Sequence, residues 1–279
     1  MSKRLEEMVE KSVYVLREVM SRFNNPCILF SGGKDSTLLL YLAKQAFYDT
    51  IPCDVVHIDT SFKFTEIYEF RDKLAKEWDF NLVVAKNDKE IKRGMNRSKG
   101  RDVCCHTLKT EALRDIIEKE GYDAVIVGIR RDEHGIRNKE HFFSPRDKEF
   151  RWNYAKERKG GDSGLESTQD SEFEGWDIFS TEFEGADHMR VHPILHWDEI
   201  DVWEYIKRED IPVNPLYFSK NGIRYRSLGC VPCTNHSYSD ADTIDKIIRE
   251  VKSIKAGERD GRDQDKEEIM EKLRLLGYM

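Results

Sequence analysis

The sequence predicts an α/β protein: a mostly parallel sheet with helices on both faces, followed by a helical and irregular C-terminal segment. Three observations carry that reading. Four short runs rich in β-branched and aliphatic residues, 26–30 (PCILF), 55–59 (VVHID), 81–85 (NLVVA) and 123–129 (DAVIVGI), have the length and continuity of strands buried on both faces. Helical patterns at 37–47, 65–77 and 106–120 lie between them, and this alternation is what parallel crossovers require. Of the 279 residues, 39% are hydrophobic and 35% charged, which suits one large soluble domain, or a domain with a small appendage.

Taken in order, the chain opens on an amphipathic helical pattern with Leu5, Met8, Val9, Val13, Leu16 and Val19 on one face. It has neither the continuous apolar core nor the cleavage site of a signal peptide, and no run approaches the ~20 apolar residues that span a bilayer, so a cytoplasmic protein with no membrane contact is expected. Strand, helix, strand, helix, strand, helix, strand then follow to about residue 129. A stretch from about 155 to 187, rich in Gly, Ser, Glu and Asp, shows no period and reads as a flap, partner-binding insertion or spacer. A fifth strand is expected at 189–194 and a helix at 197–210, with Ile200, Trp203 and Ile206 on one face. The boundaries expected are an α/β domain over 1–210 and a C-terminal segment over 211–279 that carries the Cys-x-x-Cys, with helices near 241–254 and 264–276.

The sequence SGGKDS, residues 31–36, sits between the first strand and the first crossover helix. Gly32 and Gly33 permit close approach and unusual backbone angles. The helix N-terminus offers unpaired N–H groups, Lys34 a positive charge, and Ser31, Ser36 and Thr37 hydroxyl donors. Together they predict a polyphosphate site. The spacing is not that of the G-x-x-x-x-G-K-[ST] P-loop. It resembles the S-G-G-x-D-S pyrophosphate loop of the PP-loop ATP pyrophosphatases, which cleave ATP between the α and β phosphates. Asp59, at the end of the second strand, falls where open parallel sheets bind ligands. Asp35 and Asp59 are candidate Mg²⁺ holders beside the leaving pyrophosphate.

Further blocks narrow the resemblance: 57–78 (HIDTSFKFTEIYEFRDKLAKEW), 128–137 (GIRRDEHGIR), 144–152 (SPRDKEFRW), 191–206 (VHPILHWDEIDVWEYI), 224–230 (RYRSLGC) and 257–265 (GERDGRDQD). In this order they are similar to the phosphoadenosine-phosphosulfate (PAPS) reductase family, above all to the small subunit of bacterial sulfate adenylyltransferases. The resemblance implies an adenine nucleotide α-hydrolase-like fold, ATP and Mg²⁺ as ligands, and a catalytic group of Lys34, Asp35, Arg130 and Arg131. It assigns Arg130 and Arg131 to anion binding, with Arg224 and Arg226 as second clamps; surface ion pairing with Asp132 and Glu133 is the plainer alternative for the first pair.

The cysteines depart from that subunit's pattern. Of six, Cys27 and Cys53 read as small buried hydrophobes. Cys104-Cys105 and the Cys-x-x-Cys at Cys230 and Cys233 are similar to the iron–sulfur ligand set of assimilatory adenylylsulfate reductases. Adjacent cysteines can serve two irons of a [4Fe–4S] cluster, whereas bringing both onto one tetrahedral zinc is awkward. Zinc is the next alternative and unligated core cysteines the last. No cysteine follows Cys233, so the C-terminal nucleophilic thiol of those reductases has no counterpart, and reduction of a thiosulfonate is not expected.

A PP-loop, an arginine pair and a cluster without a reductive thiol resemble the ATP pyrophosphatase of DNA phosphorothioation. That implies a cysteine desulfurase as sulfur source, DNA-processing subunits, and assembly as an oligomer or complex. The basic stretch 89–101 is then a candidate contact to DNA backbone, or else a solvated loop. The net charge of −7 speaks against broad nucleic-acid binding by the chain alone, so DNA contact through partners is expected. The alternative is a sulfate adenylyltransferase small subunit carrying a cluster. A tRNA-thiolating enzyme and a non-catalytic iron–sulfur scaffold are weaker readings; a scaffold needs no polyphosphate loop.

Overall fold

The computed structural model describes residues 3–133, 137, 140–151, 186–253 and 258. Its centre is a six-stranded sheet built from β1 (Pro26–Leu29), β2 (Asp54–Ile58), β3 (Leu82–Ala85), β4 (Ala124–Ile126), β5 (Phe143–Arg146) and β6 (His188–Val191). The strand order is β3-β2-β1-β4-β6-β5, and every pair is parallel except β5 with β6. The mostly parallel sheet read from the sequence is therefore present. Order reverses at β1, whose neighbours are β2 and β4. At that switch point the crossovers leave toward opposite faces and a crevice opens beyond the carboxyl ends of the strands.

Helices α1 (Lys3–Arg22) and α2 (Lys34–Ala46) cover one face with α3 (Thr65–Glu77), and a helix at Glu199–Glu209, here α7, completes that layer. Short helices α4 (Asp88–Lys92) and α5 (Arg101–Cys105) precede a π-helical turn at His106–Thr110 and α6 (Glu111–Glu120), which packs on the other face. The larger core joins Leu16 and Val19 of α1, Leu38 to Leu42 of α2, Ile28, Ile126 and Val191 of the sheet, and Trp197, Trp203 and Ile206. Each such apolar side chain, fully buried, stabilises by about 1.5–3 kcal/mol. Ile211, Tyr217, Ala241 and Ile247 of α8 (Ile244–Ser253) enter the same core.

Several boundaries move for physical reasons. α2 begins at Lys34, three residues before the expected start, because Gly33 is its N-cap and the phosphate-loop residues form its first turn. β4 stops at Ile126, before the run expected to 129; at Gly128 the chain passes so close to α2 that a Cβ would lie 3.0 Å from the Asp35 carbonyl oxygen. β6 stops at Val191, two residues before Pro193. β5 has no counterpart among the expected strands. It is an antiparallel edge of four residues with Pro145 opposite Met189, a position where a missing N–H is tolerated. Most of the 155–187 stretch and the expected 264–276 helix lie outside the described residues. Among the described residues, no helix is long and apolar enough to cross a membrane.

Candidate active site

The loop after β1 turns sharply at Gly32, whose φ of +79° is left-handed; a Cβ there would meet Ile67 Cγ2 at 3.0 Å. Serine hydroxyls brace the turn. Ser31 N–H donates to Ser36 Oγ at 3.2 Å, Ser36 Oγ donates to the Gly33 carbonyl at 2.9 Å, and Gly33 N–H donates to Ser31 Oγ at 3.3 Å. Lys34 N–H donates to the Tyr217 hydroxyl at 2.9 Å. The N–H groups of Gly32, Asp35 and Ser36 have no protein acceptor among the described residues. These are the orphan donors that a helix N-terminus offers to an anion.

The cations expected to touch phosphate lie deeper. Lys34 and Arg130 are wholly buried. Lys34 Nζ pairs with Asp35 Oδ2 at 3.1 Å and Glu258 Oε1 at 2.5 Å. Arg130 pairs with Asp35, with Asp132 Oδ1 at 2.9 Å and with Glu258 Oε2 at 2.6 Å. Burial opposes charge on Lys34 and Arg130, but the facing carboxylates outweigh it and hold both above their ordinary values. Burial likewise opposes ionisation of Glu258, and Lys34 and Arg130 outweigh it, so its carboxyl stays far below the usual range. Asp35, Glu133 and Glu258 bring one oxygen each within 4.8 Å of one another. They line a cavity of about 60 Å³ over the loop, together with Ser31, Gly33, Ser36, Gly128 and Tyr217. The cations thus stand behind the carboxylates and orient them. Three hard oxygen donors facing a polyphosphate cradle fit a divalent cation such as Mg²⁺.

Ser31, Ser36, Gly128 and Leu228 also line a second cavity of about 220 Å³, so the two adjoin. It opens at the carboxyl ends of β1, β2 and β4, between apolar walls from Leu29, Val56, Ile58, Leu113 and Val127. Its size and lining suit a purine.

The remaining expected ligands are placed elsewhere. Asp59 accepts from Tyr68 Oη and Ser61 N–H, both at 2.7 Å; burial opposes its ionisation, but these bonds hold it below its ordinary value. It lines neither cavity and is absent from the carboxylate group of Asp35. The half-buried Arg131 donates to the Glu140 carbonyl at 3.4 Å. Arg224 donates to Glu250 at 2.7 Å, and Arg226 to Glu199 at 2.9 Å. Glu199 is raised by burial and by the charge of Glu258, which puts this last pair at the rim of the Lys34 network. Two residues that sequence reasoning did not place among the ligands matter here: Glu133, named there only as an ion-pair partner in the G-x-R-R-D-E block, and Glu258, in the 257–265 block. Both blocks were visible in the sequence; their convergence on Lys34 and Arg130 was not.

The four motif cysteines meet. Cys104 and Cys105 on α5 and Cys230 and Cys233 around a 3₁₀ turn line one cavity of about 20 Å³, with Arg97, Arg101 and Lys109. An antiparallel bridge between Lys63 and Cys230, and Val231 N–H donating to the Phe62 carbonyl at 2.7 Å, pin the second motif to the loop after β2. Burial and then the other three thiols push Cys104 up to about 11. Cys27 and Cys53 take no part; burial raises both, Cys53 to about 12.

Switch-point crevice, glycine turn and helix N-terminus define an adenine nucleotide α-hydrolase-like protein of the PP-loop kind. Residues 25–236 match the phosphoadenosine phosphosulfate reductase domain, and the chain belongs to that family. It is 36% identical to sulfate adenylyltransferase subunit 2 of Rhizobium meliloti (strain 1021), covering 98% of each chain. It is also 36% identical to the protein of that name from Sulfurimonas denitrificans, over 98% of this chain and 97% of the other. Among solved structures, a PAPS reductase from Candida auris superimposes with a TM-score of 0.52 at 18% identity, over 84% of this chain and 98% of that one. An FMN adenylyltransferase from Candida glabrata, in complex with FMN and the ATP analogue AMPCPP, gives 0.55 at 18% identity, over 84% and 68%.

Proposed function

We propose that this chain is an ATP-consuming adenylyltransferase of sulfur metabolism that joins AMP to sulfate and releases pyrophosphate, acting with a partner subunit. The observation that carries the reading is the adjacency of the two cavities: a purine-sized crevice shares four lining residues with a glycine-turn polyphosphate cradle faced by three carboxylates. Near full-length similarity to proteins named sulfate adenylyltransferase subunit 2 supports the acceptor, and that name supports a partner.

In this reading the N–H groups of Gly32, Asp35 and Ser36 hold the β and γ phosphates, and Gly128 lets the α-phosphate approach α2. Asp35, Glu133 and Glu258 would hold Mg²⁺, which neutralises charge that develops on the leaving pyrophosphate. Lys34 and Arg130 keep those carboxylates ionised and aimed. A sulfate oxygen bonds to the α-phosphorus while the bond from that phosphorus to the α–β bridging oxygen breaks, giving adenylylsulfate and pyrophosphate. Apolar walls at Val56, Ile58 and Leu113 exclude water that would otherwise compete as acceptor.

The cysteine quartet supports a second reading, in which the acceptor is a DNA backbone phosphate. Adenylation turns a non-bridging oxygen into a leaving group; the outer sulfur of a persulfide charged by a cysteine desulfurase bonds to the phosphorus as AMP leaves, and a thiol reductant then cleaves the remaining S–S bond. Cys104, Cys105, Cys230 and Cys233 would hold a [4Fe–4S] cluster in either reading, and that cluster would supply redox or sulfur-handling chemistry beside the crevice. The deciding experiment measures ATP-dependent pyrophosphate release by the full chain with its partner subunit. Release that requires sulfate supports the first reading; release that requires a DNA duplex and a desulfurase, and not sulfate, replaces it with the second; none with either overturns both.

A further inference from the structure

Tyr217 enters the phosphate cradle from far outside the loop sequence. It closes a 3₁₀ turn, Pro215–Tyr217, that Asn214 ties down. The Asn214 side chain accepts from Leu216 N–H and donates to the Glu66 carbonyl, both at 3.0 Å. The Tyr217 ring meets Trp203 edge to face at 5.4 Å and is only 1% exposed. A ring packed that tightly holds its hydroxyl in one place. That place is over Gly33, where a Cβ would lie 3.2 Å from the hydroxyl oxygen.

The hydroxyl is half used. Its oxygen accepts from Lys34 N–H at 2.9 Å, while its hydrogen has no acceptor among the described residues. A phenolic hydroxyl can do both at once, and a buried donor is ordinarily paired. Burial pushes Tyr217 up to about 12 against the opposing charge of Lys34, so the hydrogen stays on the oxygen. The side chain lines the small cavity beside Asp35, Glu133 and Glu258, and an acceptor for it must come from there. Gly33 N–H is turned to Ser31 and Lys34 N–H to Tyr217. The tyrosine thus returns one donor to the N-terminus of α2 and sets it one hydrogen bond farther out.

Its place along the cradle decides what it touches. Ser31, Ser36, Gly128 and Leu228 line both cavities, whereas Gly33 and Tyr217 line the small one alone. With adenine in the crevice, the α-phosphate sits at the shared residues, and the remaining phosphates run on toward Gly33 and Tyr217. The group that arrives at the tyrosine is the last of the three.

We infer that Tyr217 is a further nucleotide ligand, whose hydroxyl donates to an oxygen of the terminal phosphate and makes the cradle select a triphosphate over a diphosphate. This rests on the reading in which ATP fills the two cavities. A hydroxyl donating to a phosphate anion is charge-assisted and about twice as strong as a bond between neutral groups.

The test titrates AMPCPP, and in parallel ADP, into the full chain at saturating Mg²⁺. Tyr217→Phe keeps the ring and removes only the oxygen. It weakens AMPCPP binding at least tenfold and ADP binding less than threefold. The variant also leaves Lys34 N–H without its acceptor, but that structural effect falls on both nucleotides alike, so the ratio of the two affinities reads the contact itself. Gly33→Ala is the second variant: with φ at −90° its backbone accepts alanine, and the new Cβ presses on the Tyr217 hydroxyl and on Ser31 Oγ. It lowers the ratio at least threefold, and it decides if Tyr217→Phe fails to fold by circular dichroism. An unchanged ratio in Tyr217→Phe overturns the inference, whether both affinities hold or both fall together. A lowered ratio in a chain that releases no pyrophosphate with any acceptor would sink the adenylyl-transfer reading and leave the tyrosine contact. Acceptor-dependent release with the ratio unmoved would do the reverse.

Discussion

Glu258→Gln is the most informative single change. Its carboxylate bridges Lys34 at 2.5 Å and Arg130 at 2.6 Å, both of them wholly buried, and shares the small cavity with Asp35 and Glu133. Removing one partner of a buried ion pair costs about 3–5 kcal/mol, because the remaining charge is left without its counter-ion. Glutamine keeps the shape and one oxygen acceptor, so the lower end, about 3 kcal/mol, applies. At about 1.4 kcal/mol per factor of ten, this lowers kcat/KM for ATP roughly 100-fold if it falls wholly on the site. The Mg²⁺ concentration for half-maximal rate rises as well, since one of three oxygen donors becomes neutral. The assay is pyrophosphate release at varied ATP and Mg²⁺, with thermal unfolding measured beside it to separate site from scaffold. A kcat/KM within threefold of wild type, with unchanged Mg²⁺ dependence, would refute the assignment of Glu258 to the site.

Three further outcomes are expected. Gly128→Ala forces a Cβ to within 3.0 Å of the Asp35 carbonyl and 3.2 Å of the Ser36 nitrogen, so ATP affinity should fall at least tenfold and stability by about 1–3 kcal/mol; an unchanged nucleotide titration contradicts it. Cys104→Ser and Cys233→Ser should each abolish the brown colour and visible absorption of anaerobically purified protein; a colourless wild type holding stoichiometric zinc defeats the cluster. The Glu258 carboxyl lies far below its ordinary 4.5 and the Lys34 ammonium above its ordinary 10.5, so the stability each contributes is full above the first value and below the second. Denaturant midpoints should therefore hold between about pH 5 and 10 as far as this network is concerned, and fall in acid as Glu258 takes up a proton. Glu258→Gln should flatten the acid limb, and an unaltered limb would show that the carboxylate is not paired.

The order of strands and helices was legible because buried parallel strands are continuous apolar runs, as 26–30 and 55–59 are. β5 was not, since Phe143–Arg146 is four residues with a proline and an arginine, and pairs with a strand more than forty positions on. The phosphate loop was legible for a local reason: Gly32, Gly33 and Ser36 act through their own backbone and near neighbours. Lys34 and Arg130 were recognised as site residues, but their roles depend on contacts no local pattern shows. Glu258 stands 224 positions from Lys34, and only the fold puts its carboxylate between that ammonium and the cavity. The cysteine motifs were legible as pairs; that all four line one cavity is a property of the fold.

A crystal structure of the full chain with Mg²⁺ and AMPCPP tests the central claim most directly. The account predicts the β and γ phosphates on the N–H groups of Gly32, Asp35 and Ser36, the metal among Asp35, Glu133 and Glu258, and adenine between Val56 and Leu113. A nucleotide seated elsewhere, with those N–H groups turned to protein acceptors, would contradict it.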